Sequence, residues 1–171
     1  PNKSADEQQR EIKLPEGEPD DPPERETVHG LGNRKNLMVN QAIASEGVEV
    51  IHGSVEMARH LRTRGVRTAV VSASKNCRMV LEVSGIESLF EVVVDGTLAA
   101  RLGLPGKPSP ETFLEAARQL QVEPAQAVVI EDAISGVQAG RAGGFGLVVG
   151  IDHHDQPQAL LQPGAHLLVK D

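Results

Sequence analysis

The sequence predicts an α/β fold in which a parallel, Rossmann-like sheet is covered by helices. Short apolar runs rich in β-branched residues alternate with longer segments whose apolar residues recur at helical spacing. Parallel strands need crossover connections, and helices of this length supply them. Some of the apolar runs break abruptly into polar residues, at 72–76 and at 131–132. Ligands bind outside the carboxyl ends of such strands, so these breaks indicate where a site lies.

The composition limits the class of protein. A chain of 171 residues is long enough for one core and part of a second, smaller module. Its net charge of -7, its low aromatic content and the lack of a basic stripe argue against binding to nucleic acid. The single cysteine, Cys77, and the absence of a bilayer-length apolar run or a signal-peptide pattern predict a cytoplasmic protein without membrane contact.

The chain begins with a polar segment and one helix. Residues 1–26 are rich in Pro, Glu, Asp and Gln, so they are expected to form a flexible acidic leader that buries too little surface to order itself. A solvated linker is favoured there over a partner-binding tail. Between His29 and Glu46, the spacing of Leu37, Val39 and Ile43 predicts one amphipathic helix with a basic start.

The rest of the chain is predicted to alternate helices and strands. Helices are expected at 54–64, 76–83, 110–120 and 135–142. Ser54 is expected to cap the first of them, and Ser74 or Asn76 the second. A Gly/Pro loop at 102–110 precedes the third. Strands are expected at 66–72, 91–95, 127–130, 145–149 and 167–169.

Three sets of polar residues follow the carboxyl ends of successive predicted strands or lie just beyond them. They are Ser72 with Ser74, Lys75 and Asn76; Lys107; and Glu131 with Asp132. These ends converge in a parallel sheet, so the three sets are expected to be neighbours. Adjacent carboxylates suit a hard cation such as Mg²⁺, a lysine neutralises a phosphoryl group, and a serine hydroxyl holds one of its oxygens. Together the sets predict a phosphoryl-transfer site.

Each signal has an ordinary structural explanation when it is taken alone. The Glu131-Asp132 pair fits a solvated helix start, Lys107 a surface lysine, and Ser72 a strand-end cap. The order of all three sets and their placement favour a site over these explanations. The Asp-His-His-Asp run at 152–155 has metal-ligand residue types, but a surface loop is favoured there.

Three motifs carry a resemblance to a known family. They are Val-Val-Ser-Ala-Ser-Lys-Asn at 70–76, Gly-Lys-Pro-Ser-Pro at 106–110 and Ile-Glu-Asp-Ala-Ile-Ser-Gly-Val-Gln-Ala-Gly at 130–140. From about residue 29 to about residue 155 the chain resembles the haloacid dehalogenase (HAD) superfamily, and within it the β-phosphoglucomutase-like branch. The resemblance implies part of a helical cap at 27–50 and an HAD-like α/β core at 51–171. Arg34 and Lys35 lie in a segment that resembles the substrate-facing part of the cap, with a plain basic helix start as the alternative.

The resemblance also implies a phosphorylated sugar as substrate and a role for individual residues. Ser72 and Lys107 would be catalytic, Ser72 by holding the transferring phosphoryl group and Lys107 by balancing charge at the nucleophile. Glu131 and Asp132 would bind Mg²⁺. The residues that match the branch's site for the second, non-reacting phosphate are Ser74, Lys75 and Asn76.

The sequence departs from the family at the nucleophile. The family uses the first Asp of an Asp-x-Asp pair at the end of the first core strand, and no Asp-x-Asp occurs in these 171 residues. Asp20 and Asp21 follow no apolar strand, so they cannot substitute. The chain is therefore expected to be a fragment or a truncated reading frame, without the first core strand and inactive by itself. The exposed sheet edge then predicts poor solubility or self-association.

Three functions remain in competition at this point. The leading one is a Mg²⁺-dependent phosphosugar mutase or phosphatase, between which the missing Asp-x-Asp pair prevents a choice. The second is a non-catalytic remnant that binds phosphate or Mg²⁺, or that forms part of a larger carbohydrate-metabolism protein. The third and weakest is a nucleotide-binding α/β module, since the glycines between Gly140 and Gly146 do not have the dinucleotide-binding spacing.

Overall fold

The described part of the chain forms two compact units. In a computed structural model, residues 14–153 and 157–170 are described, and the two units divide between Gly47 and Val48. No helix within these ranges is both long enough and apolar enough to cross a lipid bilayer.

The first unit is built around one long helix, α1 (Val28–Glu46). Thr27 caps this helix, because its hydroxyl oxygen accepts a hydrogen bond from the Gly30 amide at 2.9 Å. The same hydroxyl donates to the carboxylate of Asp21 at 2.6 Å, and Arg25 donates to the other Asp21 oxygen at 2.6 Å. The Thr27 hydrogen bond is the main reason why the pKa of Asp21 lies below its ordinary value. This network fixes where α1 begins.

The capping by Thr27 changes one expectation about this unit. Arg34 and Lys35 lie in the second turn of α1 and not at a basic helix start. The predicted leader boundary at residue 26 and the partial cap at 27–50 stay predictions. Residues 1–13 of that leader lie outside the described residues.

The second unit alternates helices with parallel strands, which confirms the predicted α/β fold. Its helices are α2 (His52–Thr63), α3 (Cys77–Val83), α4 (Gly96–Leu102), α5 (Glu111–Gln119), α6 (Ile134–Ala142) and α7 (Pro157–Leu161). Its strands are β1 (Ala69–Val71), β2 (Val92–Val94), β3 (Val128–Glu131), β4 (Leu147–Ile151) and β5 (Leu167–Val169). Single 3₁₀ turns precede β2 and β3, at Glu87–Leu89 and Pro124–Gln126.

The strands form two parallel sheets instead of one continuous ladder. β1 pairs with β2, with Val70 opposite Val93, and the second sheet has the order β3-β4-β5, with Val129 opposite Val148. Within the described part of the chain, β1 and β3 each have one edge without a strand partner. Each of these edges presents unpaired backbone groups.

Helix α5 packs against both sheets. Its Ala116 and Leu120 lie in a buried cluster with the valines of β2. Its Phe113 and Ala117 lie in a second cluster with buried valines of β3, β4 and α6. Val71 of β1 packs against both clusters. The ends of β1 and β3 therefore rest on a shared core, although no hydrogen-bonded ladder joins them in the described residues.

Some elements differ from the sequence predictions. Helices α4 and α7 were not predicted, although α4 carries recognisable signals: Asp95 accepts a hydrogen bond from the Leu98 amide at 2.7 Å, and Gly103, with φ at 65°, follows the last residue. The predicted cap at Ser54 is wrong. Helix α2 begins at His52, so Ser54 lies inside the first turn, where its hydroxyl cannot serve as the N-cap.

Helix α5 contains an ion pair whose contribution to stability depends on pH. Arg118 donates two hydrogen bonds of 2.7 Å to Glu115, and Gln119 donates a third of 2.6 Å. These hydrogen bonds, those from Arg118 first, lower the pKa of Glu115 from 4.5 to about 2. A carboxylate with a lowered pKa stabilises the folded state above its unfolded-state pKa, and this contribution is lost as the pH falls toward 2.

We expect Glu115→Gln to lower the free energy of unfolding by about 0.5–1 kcal/mol at pH 7, because Arg118 is largely exposed and water screens the pair. The loss should shrink as the pH falls from about 4.5 to 2, where the wild-type pair is itself lost. Urea unfolding at several pH values measures this, with Glu49→Gln, at an exposed position, as the matched control. A pH-independent difference between Glu115→Gln and the wild-type chain would contradict the assignment.

Candidate functional site

The loop after β1 is folded on itself by its two serines. The Ser72 amide donates to the Val94 carbonyl at 2.9 Å, which joins the start of the loop to β2. The Ser72 hydroxyl oxygen accepts from the Ser74 amide at 3.2 Å, and the Ser74 hydroxyl oxygen accepts from the Asn76 amide at 3.1 Å. A hydroxyl that accepts one hydrogen bond keeps its proton for donation. The Ser74 hydroxyl can therefore still donate to an anion, whereas the Ser72 hydroxyl also contacts the Cys77 thiol.

The thiol of Cys77 lies beside this loop and is buried. Cys77 is buried in a cluster with Leu81 and Val93. This burial is the main cause of a raised pKa of the Cys77 thiol, against a smaller opposite effect of the Ser72 hydroxyl. The raised pKa favours the neutral thiol, and the polar residues of the loop are Ser72, Ser74, Lys75 and Asn76.

The last part of the loop faces solvent. Lys75 is exposed and lines an open cavity of about 500 Å³ together with Arg78 and Arg101. Asn76 occupies the N-cap position of α3, but its side chain makes no capping hydrogen bond to that helix. The predicted capping by Ser74 or Asn76 is therefore wrong, because the Ser74 hydroxyl is engaged inside the loop instead.

Lys107 and Glu131 meet directly. The Lys107 Nζ forms an ion pair with Glu131 Oε1, and the two side chains are 19% and 9% exposed. The Lys107 ammonium also lies 4.7 Å from the centroid of the Phe113 ring on α5. The second Glu131 oxygen accepts from the Ala133 amide at 3.3 Å. The predicted convergence of Lys107 with the acidic pair is thus observed, and Glu131 is held from both sides.

A glycine of α6 makes room for the Glu131 carboxylate. A Cβ atom at Gly136 would lie 2.1 Å from the Glu131 carboxyl carbon and 2.4 Å from either oxygen. Gly136 therefore lets the N-terminal turn of α6 close over the carboxylate. This glycine belongs to the motif at 130–140, and its role is not predictable from that motif; the signal in the sequence is a glycine near the start of a helix, five residues after the acidic pair begins.

Asp132 differs from its neighbour in exposure and partners. Its side chain is 62% exposed, and its nearest recorded ionisable partner is His153, with Nε2 3.9 Å from Oδ2. Of the predicted 152–155 loop, His154 and Asp155 lie outside the described residues. No group of three or more His, Cys, Asp or Glu side chains with metal-binding geometry occurs in the described ranges. Mg²⁺ needs only one or two carboxylates when waters and phosphate oxygens complete its shell, so an exposed Asp132 beside Glu131 fits this ion.

The structure brings some of the predicted site residues together and leaves others in a different unit. Lys107, Glu131 and Asp132 form one cluster, and the Ser72–Asn76 loop follows a strand that shares its core with β3. Arg34 and Lys35 belong to the other compact unit. There Arg34 donates to the Pro23 carbonyl at 2.6 Å, while Lys35 is exposed. Their assignment to a substrate stays a prediction.

The Lys107–Glu131 pair can be tested by its effect on stability. We expect Lys107→Met, which keeps an aliphatic side chain against Phe113, to lower the free energy of unfolding by about 1–3 kcal/mol at pH 7, because it leaves a nearly buried carboxylate without its cation. Adding Glu131→Gln to this variant should restore part of the loss. Urea unfolding of the two single variants and the double variant measures the coupling, and additive effects would show that the pair is not formed.

Comparisons with known proteins match most of this chain. The family model of haloacid dehalogenase-like hydrolases matches residues 8–144. A β-phosphoglucomutase from Mycobacterium bovis is 44% identical over 165 residues, which cover 95% of this chain and 63% of that relative. An uncharacterized glycosyl hydrolase from Mycobacterium tuberculosis is 38% identical over 162 residues, which cover 95% of this chain and 12% of that relative.

A solved structure agrees with the sequence relatives. The crystal structure of an HAD family hydrolase from Deinococcus radiodurans, with bound phosphate and sodium, superposes with a TM-score of 0.67 at 34% identity, over 84% of this chain and 62% of that chain. This chain thus spans less than two thirds of that structure and of the β-phosphoglucomutase. Because the family match covers most of its residues and includes all three motifs, the chain belongs to the haloacid dehalogenase-like hydrolase family.

Proposed function

We propose that these residues form part of a Mg²⁺-dependent phosphotransferase site for a phosphorylated sugar, of the mutase or the phosphatase type, in a cytoplasmic protein. The observation that carries the proposal is the Lys107–Glu131 ion pair beside the exposed carboxylate of Asp132, at the end of β3. This strand shares its core with β1, which the loop at 72–76 (the hydroxyl loop) follows. The similarity to a β-phosphoglucomutase supports the choice of a phosphorylated sugar.

The proposed roles follow from charge and exposure. Lys107 and Glu131 largely neutralise each other, so the carboxylate that remains accessible to a cation is that of Asp132. Mg²⁺ bound there would reduce the negative charge on a phosphoryl group. Ser72 would donate its hydroxyl proton to an oxygen of the transferring phosphoryl group, in place of its contact with the Cys77 thiol. The second phosphate of the substrate would be bound by Ser74, Lys75 and Asn76.

The nucleophile limits what these 171 residues are expected to do. Glu131 is engaged by Lys107 and by a backbone amide, and the sequence contains no Asp-x-Asp pair. We therefore expect phosphate and metal binding without turnover from these residues alone. The choice between mutase and phosphatase depends on the second Asp of the family's pair, so it stays open for this chain.

A second candidate function is a non-catalytic binding module within a larger carbohydrate-metabolism protein. The observation that favours it is the similarity to a glycosyl hydrolase of which the matched region forms only 12%. The two candidates differ in one measurable property. Only the phosphotransferase site is expected to transfer a phosphoryl group once a carboxylate nucleophile is available. Product formation that depends on Asp132 would support the enzyme over the binding module.

The proposed site predicts a linked binding of metal and phosphate. We expect glucose 1-phosphate to bind the 171-residue chain more tightly with Mg²⁺ than without it, and Asp132→Asn to abolish this difference because it removes the accessible carboxylate. Ser72→Ala should weaken binding about tenfold in either condition, through the loss of one hydrogen bond to a charged group. Titration calorimetry measures both, with Asp20→Asn, an exposed carboxylate of the other unit, as the charge control.

A product assay tests the expected lack of turnover. Glucose 6-phosphate and inorganic phosphate are followed together after addition of Mg²⁺ and glucose 1-phosphate, and we expect neither product. Turnover that Asp132→Asn abolishes would overturn the expected inactivity. Mg²⁺-independent binding in the wild-type chain would overturn the metal site.

We further propose that two copies of the chain associate along the free edge of β3. Val128 and Ile130 on this strand are 55% and 38% exposed, and the edge has no partner in the described residues. Sedimentation velocity should show a concentration-dependent dimer, which Ile130→Lys converts to a monomer by placing a charge on the edge strand. Lys introduced at Leu37, an exposed position of the first unit, serves as the control. A wild-type monomer at all concentrations would refute the association.

A further inference from the structure

The turn after β2 packs against the backbone of the loop at 72–76. The Gly96 amide donates to the Ser74 carbonyl at 3.1 Å. A Cβ atom at Gly96 would lie 2.3 Å from the Ala73 carbonyl oxygen and 3.2 Å from the Lys75 amide nitrogen. These neighbours are backbone atoms, which cannot move aside as a flexible side chain would. The close approach therefore requires glycine at position 96.

Asp95 ties the same turn to the helix that follows the loop. Asp95 is 3% exposed, and one of its oxygens accepts from the Leu98 amide at 2.7 Å. The other oxygen lies 3.1 Å from Nε of Arg78, in the first turn of α3. Arg78 also donates to the Val93 carbonyl at 3.2 Å. The two side chains thus connect the start of α3 to the end of β2.

The loop is consequently held at both ends and in its middle by one segment. Ser72 is bonded to the Val94 carbonyl, Ser74 to the Gly96 amide, and α3 to Asp95 through Arg78. Loops that bind phosphate usually gain affinity when their donors are fixed before the ligand arrives. The segment that follows β2 supplies this fixation without contributing a donor to the phosphate itself.

We propose that Asp95 and Gly96 are positioning residues for the phosphate-binding loop at 72–76. The inference rests on the proposed function, because it assigns the loop to phosphate. They act through the loop backbone: Gly96 sets its distance from β2, and Asp95 fixes the orientation of α3 through Arg78. The Glu131 carboxylate at the end of β3 is positioned separately, by Lys107 and Gly136, and the contacts of Asp95 and Gly96 described above do not involve Asp132. Loss of the contacts made by Asp95 and Gly96 should therefore weaken the binding of phosphate and leave the binding of Mg²⁺ unchanged.

The test distinguishes an effect of Asp95 and Gly96 on the loop from an effect on overall stability and from the proposed function. Gly96→Ala and Asp95→Asn are compared with Thr97→Ala, which changes an exposed residue of the same helix. Hydrogen exchange of the ligand-free 171-residue chain should become at least about tenfold faster at the amides of 72–76 in Gly96→Ala and less so in Asp95→Asn, while amides of β3 and β4 are unchanged. Asp95→Asn introduces no steric overlap, so it keeps the test valid if Gly96→Ala fails to fold.

The ligand arm uses inorganic phosphate and Mg²⁺ as separate probes. We expect Gly96→Ala to weaken phosphate binding about tenfold or more, with Mg²⁺ affinity unchanged, since small misplacements of binding groups are costly. Equal losses for both probes, or unchanged exchange at 72–76, would overturn the positioning role. If the wild-type chain binds no phosphate, the proposed function fails, while the exchange measurement still decides whether Asp95 and Gly96 hold the loop.

Discussion

The two-sided packing of α5 is the constraint on which the second unit depends. In the described residues no backbone ladder joins β1-β2 to β3-β4-β5, so side-chain burial has to hold the sheets together. Ala116 and Leu120 pack on one sheet, while Phe113 and Ala117 pack on the other. The hydrophobic effect is not directional, so the relative position of the sheets is set by the shapes of these side chains. The same helix supports the site, because Phe113 lies beneath Lys107.

The two halves of the proposed site are built by different physical means. The acidic half is fixed by side chains: Lys107 neutralises Glu131, and Gly136 leaves the space that the carboxylate fills. The hydroxyl half is fixed by backbone contacts, through Ser72 to β2 and through the close approach of Gly96. Charge pairing can be adjusted by protonation or metal binding, whereas a backbone contact cannot. This division suits a site in which one half holds a cation and the other an anion.

Family membership explains the order of the motifs but not the contacts that support each residue of the proposed site. The HAD-like match accounts for the order of the motifs and for the parallel α/β architecture. The chain nevertheless spans 63% of the length of the β-phosphoglucomutase that it resembles. What these residues supply is a loop folded by its serines, a lysine paired with Glu131, and the exposed carboxylate of Asp132, to which we have assigned the proposed roles. The contacts around these groups, and not the motif sequence alone, determine whether the groups can bind a ligand in this chain.

The sequence by itself determined the parallel α/β class, the order of the strands along the chain, and the polar sets that follow β1 and end β3, because these depend on local periodicity and on the geometry of parallel sheets. Lys107 instead lies in the loop between α4 and α5, and its contact with Glu131 brings it to the end of β3. Tertiary structure alone decided that Glu131 is engaged while Asp132 is exposed, since adjacent residues of one strand end point to different surroundings. It also decided the roles of Gly136 and Gly96, which depend on atoms distant in sequence or in another element. Sequence patterns specified most of the elements, although not α4 and α7, but the contacts between elements decide which of their side chains are available for chemistry.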